Sequence, residues 1–100
     1  MRPKIGIIGT GHISHFHVPA LRAAGFNIVS CCGSPNSSRA KDFASKYDID
    51  KVYFDVDSLI KDSSKLDSIL IASSVSTTFE ILVKCLKVQQ HLLKILVVGQ

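Results

Sequence analysis

The sequence predicts an α/β protein: a parallel sheet of about five strands with helices on both faces. Three observations lead there. Short apolar runs recur along the chain, and each is followed by a stretch whose apolar residues fall at helical spacing. The first run passes into the first helical stretch through a glycine turn, Gly9-Thr10-Gly11. The run Ser68-Ile69-Leu70-Ile71-Ala72 is almost continuously apolar, as a strand inside a parallel sheet must be when both its faces are covered. Strands alternating with helices need crossover connections, and such connections build parallel sheets.

Taken in order, Ile5, Ile7 and Ile8 carry the first strand. The first helix is expected from about His12 to Ala24, burying Ile13, Phe16, Ala20, Leu21 and Ala24, with Gly25 as its C-terminal cap. Pro19 lies inside it and removes a backbone hydrogen bond, which predicts a kink or a local break. Phe26 to Cys32 reads as the second strand and Gly33 to Asn36 as a turn. Ser34 and Pro35 are placed to open the second helix as cap and first residue. That helix presents Ala40, Phe43, Ala44 and Tyr47 on one face. Lys51 to Phe54 is a short third strand. Asp55 or Asp57 is expected to cap a brief helix around Ser58 to Lys61, and Lys61 to Lys65 to form a polar loop. Leu66 and Ser68 to Ala72 supply the fourth strand, and Ser73 to Ser76 a loop. Thr77 and Glu80 fit a capping box for the third long helix, whose buried face is expected at Phe79, Leu82, Val83 and Leu86. Gln89-Gln90-His91 ends that helix, and Leu92 to Val98 is the fifth strand.

Length and composition restrict the function. One hundred residues make one small domain, 46% hydrophobic and 20% charged, which is a globular composition. A net charge of +4 suits an anionic ligand. With no tryptophan and no basic stripe interleaved with aromatics, nucleic-acid binding is not expected. The longest apolar runs are too short to span a bilayer, and strand-forming sequence near Met1 leaves no room for a signal peptide, so a cytoplasmic location is expected. Cys31, Cys32 and Cys85 are an odd set without metal spacing and read as free, buried thiols in a reducing compartment. His12, His15 and His17 cluster around the first helix with no carboxylate or Cys at ligand spacing, which argues against a metal site.

The chemistry is concentrated at the glycine turn. A helix N-terminus leaves backbone N–H groups unpaired and carries partial positive charge. A pyrophosphate settles there when glycines let it approach. Gly9 is expected to form the tight turn, Gly11 the close approach, and Ser14 stands where this dinucleotide-binding (Rossmann) fingerprint has Gly or Ala.

Several segments together resemble the N-terminal domain of the Gfo/Idh/MocA family of NAD(P)-dependent oxidoreductases. They are the opening GIIGTGHIS, His17-Val18-Pro19-Ala20-Leu21, Ser38-Arg39-Ala40, Phe43-Ala44-Ser45-Lys46-Tyr47, and Leu70 to Thr77. The likeness runs from about Pro3 to Leu93. It implies a Rossmann-type domain that holds NAD or NADP and belongs to an enzyme acting on sugars, polyols or related alcohols. By that resemblance Gly9, Thr10, Gly11, His12 and Ile13 would contact the pyrophosphate, and Ala72, Ser73, Ser74, Val75, Ser76 and Thr77 would line the nicotinamide side. The end of the second strand would read the adenosine ribose. Its usual acid is replaced by Cys32-Gly33-Ser34-Pro35, so NADP is slightly favoured, with Ser34 and Arg39 as partners of a 2′-phosphate.

Two departures bear on activity. The family's Glu-Lys-Pro motif is missing, and Lys94 is the candidate remnant of its catalytic lysine, against a reading as a surface lysine with a snorkelling stem. The family's C-terminal substrate domain has no counterpart in these 100 residues. Three readings therefore stand side by side: a cofactor domain inactive alone, a non-catalytic dinucleotide-binding or partner-docking module, and a non-functional remnant. A homo-oligomer or a longer partner subunit is the expected protein partner.

Overall fold

Ile5, Ile7 and Ile8 are buried because β1 (Lys4–Ile8) is the middle strand of the sheet. The structure is a computed structural model and describes residues 2–35, 38–88 and 94–98. After β1 come α1 (Ser14–Ala23), β2 (Asn27–Cys32), α2 (Ser38–Lys46), β3 (Lys51–Tyr53) and α3 (Val56–Lys61). A 3-10 turn (Ser63–Lys65), β4 (Ser68–Ile71), α4 (Val75–Val88) and β5 (Lys94–Val97) complete the order. The five strands lie in the order β3-β2-β1-β4-β5, and every pairing is parallel.

Two cores form, one on each face, because alternate strand residues point to opposite sides. Ile5, Ile7, Cys31 and Leu70 pack with Val18 of α1 and with Phe43 and Ala44 of α2. Ile8, Cys32, Ile69 and Ile71 pack with Leu59 and Ile60 of α3 and with Ile81 and Cys85 of α4. The adjacent Cys31 and Cys32 thus serve opposite cores as buried free thiols.

Gly25 closes α1 as expected. Its φ is +96°, and its N–H bonds to the Arg22 carbonyl while the Phe26 N–H reaches Leu21, the two bonds of a Schellman cap. The rest of α1 differs from the sequence reading. It starts at Ser14 and runs unbroken through Pro19. The His15 carbonyl, which Pro19 cannot reach with an N–H, lies 3.5 Å from the Tyr47 hydroxyl. The buried residues are Ser14 and Val18, while Phe16 is 62% exposed and Ala20 and Ala24 are also exposed. A small residue at position 14 lets α1 approach β1 closely, and that approach sets which face turns inward.

Helix α2 begins at Ser38, so Ser34 and Pro35 lie in the preceding turn and do not open the helix. Its buried face is the expected one. Asp55 is the residue that caps α3, accepting from the Ser58 N–H at 2.9 Å, and the expected polar loop contains the 3-10 turn. Helix α4 begins at Val75, so Thr77 lies within its first turn and the Thr77–Glu80 box is not formed. Instead the Thr77 and Thr78 N–H groups donate to the Ser74 carbonyl. Its buried face is Ile81 and Cys85, with Phe79 73% and Leu86 57% exposed. Strand β5 covers the C-terminal part of the expected run, and its start at Leu92, like the helix end at Gln89-Gln90-His91, falls outside the described residues. Among the described residues no helix is long and apolar enough to cross a membrane.

Candidate functional site

The carboxyl ends of β1, β2 and β4 converge with the residues after β3 on one cleft of about 630 Å³. It opens where the chain order reverses about β1, the place an open parallel sheet offers to ligands. Backbone hydrogen bonds extend the sheet to its edge. Gly9 N–H donates to Cys32 O at 2.8 Å, Ala72 N–H to Ile8 O at 2.8 Å, and Gly33 N–H to Tyr53 O at 2.9 Å.

The two glycines of the turn do different work. Gly9 has φ +111°, and a Cβ there would sit 2.6 Å from the Ala72 carbonyl oxygen and 2.8 Å from its carbon. No other residue fits that backbone without strain. A Cβ at Gly11 would meet nothing within 4 Å, so the space beside it is open to a ligand. Ser14, fully buried, donates its hydroxyl to the Gly9 carbonyl at 2.7 Å. The serine therefore gives close packing like the usual Gly or Ala and also braces the turn. Helix α1 has no side-chain cap and no acid in its first turn. Among the described residues, the N–H groups of Gly11, His12 and Ile13 find no hydrogen-bond partner. Unpaired donors at an uncapped helix start fit an anion.

Of the residues singled out from the sequence, Gly9, Thr10, Gly11, Ser34, Arg39, Ala72, Ser73, Ser74 and Thr77 line the cleft. Its lining does not include the side chains of His12, Ile13 or Ser76. His12 stacks edge-on against Phe16 at 5.5 Å, and the Ser76 hydroxyl lies 3.1 Å from that of Ser74. Lys94 is not brought to the site. It begins β5, exposed, paired with Ser68 at the amino end of β4, whereas the cleft lies past the carboxyl ends. The strand register that puts Val97 beside Ile71 forces this.

Asp55, Asp57, Glu80 and Lys84 also line the cleft and were not anticipated. Asp55 was legible in principle, since residues just after a parallel strand sit at the crevice. Hydrogen bonds from the Ser58 hydroxyl and N–H hold its carboxyl below the usual carboxylate range. Asp57 and Lys84 form an exposed ion pair at 3.4 Å. Cys32 lines the cleft, but burial, aided by the Asp55 and Cys31 charges, pushes its thiol up to about 12. That leaves it protonated and a poor nucleophile at neutral pH. Among the described residues no three His, Cys, Asp or Glu are grouped to hold a metal.

A parallel sheet with its cleft at the switch point, a glycine turn and an uncapped helix N-terminus define a dinucleotide-binding domain of the Rossmann type. More particularly, the chain belongs to the Gfo/Idh/MocA oxidoreductase family: residues 3–94 match that family's NAD-binding Rossmann fold. Among curated proteins it is 30% identical over 88 residues to myo-inositol 2-dehydrogenase of Thermotoga maritima, covering 88% of this chain and 26% of that enzyme. A crystal structure of a probable dehydrogenase from Thermotoga maritima superposes with TM-score 0.77 at 27% identity, over 92% of this chain and 27% of the other. The WlbA dehydrogenase of Bordetella pertussis, in complex with NADH and UDP-GlcNAcA, shares the fold with TM-score 0.80 at 13% identity, over 97% of this chain and 29% of the other. The chain thus spans about a quarter of the length of the relatives it matches.

Proposed function

We propose that the chain holds NAD or NADP across this cleft as the cofactor domain of an oxidoreductase acting on sugars, polyols or related alcohols. The observation that carries the reading is the contrast between the two glycines, one closed against Ala72 and one facing open space beside unpaired N–H groups. In this reading Gly11, His12 and Ile13 donate backbone N–H groups to the pyrophosphate, which explains why the side chains of His12 and Ile13 need not line the cleft. Ser14 keeps the turn in shape through its bond to Gly9. Ala72, Ser73, Ser74 and Thr77 flank the nicotinamide, with Ser76 behind them against the Ser74 hydroxyl, and the bound cofactor supplies the hydride chemistry while the protein positions it.

At the end of β2 no carboxylate stands among Cys32 to Pro35, and Ser34 and Arg39 line the cleft there. A 2′-phosphate would meet a hydroxyl and a guanidinium, so NADP is favoured slightly over NAD. The inositol dehydrogenase relative supports the alcohol substrate class. We assign turnover to this domain together with further polypeptide, in the same chain or in a partner subunit. A second reading, a dinucleotide-binding module without chemistry of its own, is favoured by the distance of Lys94 from the cleft.

Isothermal titration with NADH and NADPH tests the proposal. The wild-type chain should bind both, and Gly11→Val should keep its circular dichroism while losing binding. Unchanged affinity in a folded Gly11→Val protein would overturn the assignment. Assays with a sugar and a polyol, with and without candidate partner subunits, separate the two readings.

A further inference from the structure

A second cavity, of about 200 Å³, lies on the α3 side of the sheet towards the amino ends of the strands. Val29, Leu59 and Leu66 give it an apolar floor, the two leucines fully buried, and the exposed Lys4, Lys51 and Lys65 stand at its rim. The hydroxyl-bearing Ser30 lines it as well. We propose that this cavity binds a small organic carboxylate. Its apolar body covers the floor, its carboxylate sits among the three ammoniums, and a second polar group meets the Ser30 hydroxyl. The proposal goes beyond the dinucleotide reading and does not depend on it, since the cavity and the cleft share no lining residue.

An irregularity in β2 puts Ser30 there. Ile5 pairs with Ile28 but Gly6 pairs with Ser30, so β2 carries one extra residue, Val29. The extra residue breaks the alternation of sides: Ile28 and Cys31, three apart, both belong to the core under α1 and α2. Val29 and Ser30 both turn to the α3 side instead. Such a bulge is rare in a parallel pair, and bulges re-aim side chains. Gly6 leaves the room that the hydroxyl takes, because a Cβ there would lie 2.8 Å from the Ser30 Oγ and 3.1 Å from the Leu66 Cδ1. Ser30 is only 3% exposed, yet its hydroxyl makes no hydrogen bond among the described residues and opens into the cavity. Hydroxyls this buried are nearly always bonded, so a ligand atom at this point completes the group.

The charges set the sign of the ligand. Among the described residues the one ion pair joins Lys84 to Asp57, so none of the three rim ammoniums is held by a carboxylate. Two acids, Asp50 and Asp62, also line the cavity, and Asp62 accepts a hydrogen bond from the Tyr53 hydroxyl. Three cations against two acids, one of them already hydrogen-bonded, leave a place for one further negative group. The apolar floor sets the rest of the ligand. A bare inorganic anion would leave Val29, Leu59 and Leu66 uncovered, whereas an apolar wall with a few convergent polar groups suits an organic molecule. The volume admits a single ring or a short branched chain.

Titration of the isotope-labelled chain with para-hydroxybenzoate, followed through its amide chemical shifts, tests this. The shifts should saturate in the millimolar range usual for so small a ligand, at Ser30, Lys51 and Leu66 and not at the Gly9–Gly11 turn. The uncharged para-hydroxybenzamide should bind at least about fivefold more weakly, and so should benzoate, which lacks the group that meets Ser30. Ser30→Ala should bind hydroxybenzoate and benzoate alike. It should also melt no lower than the wild type, because the hydroxyl bonds nothing within the fold. The proposal is overturned if Ser30 and its neighbours show no saturable shift, or if the carboxylate and the amide bind equally. A folded Ser30→Ala protein that still prefers hydroxybenzoate would overturn it too, as would a marked loss of stability in that variant, which would make the hydroxyl a structural one.

Discussion

Alanine at the two glycines of one turn should have opposite consequences for stability. At Gly9 the φ of +111° is one that a residue with a Cβ adopts at a cost of about 1–3 kcal/mol. The new Cβ would also lie 2.6 Å from the Ala72 carbonyl oxygen. That carbonyl cannot easily move, because Ala72 is tied to Ile8 by a 2.8 Å hydrogen bond at the end of the central strand. Forcing an extra methyl into such a place costs a further 1–3 kcal/mol or so. The total, about 2–6 kcal/mol, is a large share of the roughly 5–15 kcal/mol that holds a domain together. At roughly 4–8 °C per kcal/mol for a chain of this size, the Tm of Gly9→Ala should fall by at least about 8 °C. Gly11 has no positive φ and no atom within 4 Å of its Cβ position. Alanine there restricts the unfolded chain and should leave stability unchanged or raise it by up to about 1 kcal/mol. Urea unfolding followed by circular dichroism, without dinucleotide so that binding does not shift the equilibrium, measures both. A Gly9→Ala protein within about 1 kcal/mol of wild type, or a Gly11→Ala protein as damaged as Gly9→Ala, would refute the reasoning.

Further outcomes follow from the same structure. Ser34→Asp should move preference towards NADH by tenfold or more, about 1.4 kcal/mol, because position 33 is blocked by Ala40 and position 34 is open to the cleft; competitive titration of NADH against NADPH measures it. Burial lowers the pKa of His15, with the Lys46 and His12 charges adding, so the folded state favours neutral imidazole. Its contribution is therefore complete above 6.5, the ordinary pKa of an unfolded-chain histidine, and is lost as pH falls below it. Between pH 7.5 and pH 5 the wild type should lose more stability in urea than His15→Gln does. Phe79, Leu86, Leu96 and Val97 form exposed apolar surface, on α4 and on strand β5. Such surfaces favour association; light scattering should show mass rising with concentration, and Leu96→Lys should reduce the rise.

The strand runs, the glycine turn and the Gly25 cap were all legible in the sequence. Each depends on local chemistry: apolar continuity, a backbone angle that only glycine adopts freely, or a switch in period from strand to helix. Seven of the cleft residues, Gly9 to Gly11, Ser34 and Ala72 to Ser74, sit just after parallel strands and follow from a rule that needs only the strand order, whereas Arg39 and Thr77 lie on α2 and α4 and were expected from the family resemblance. Facing and register were decided elsewhere. Helix α4 carries two overlapping stripes at helical spacing, Phe79-Leu82-Val83-Leu86 and Thr78-Ile81-Leu82-Cys85, and periodicity cannot choose between them. The sheet chooses, because Ile81 and Cys85 are the pair that meets Ile69 and Ile71. The same holds for α1, where the close approach at Ser14 outweighs the larger Phe16. Lys94 looked chemical as a charge within an apolar run, yet its place along β5 depends on pairing with Ser68, a contact 26 residues away in the chain. Asp55 joined the cleft only because β3 lies beside β2. Local sequence sets what each segment can become, and long-range packing of the sheet sets which of its faces and ends are used.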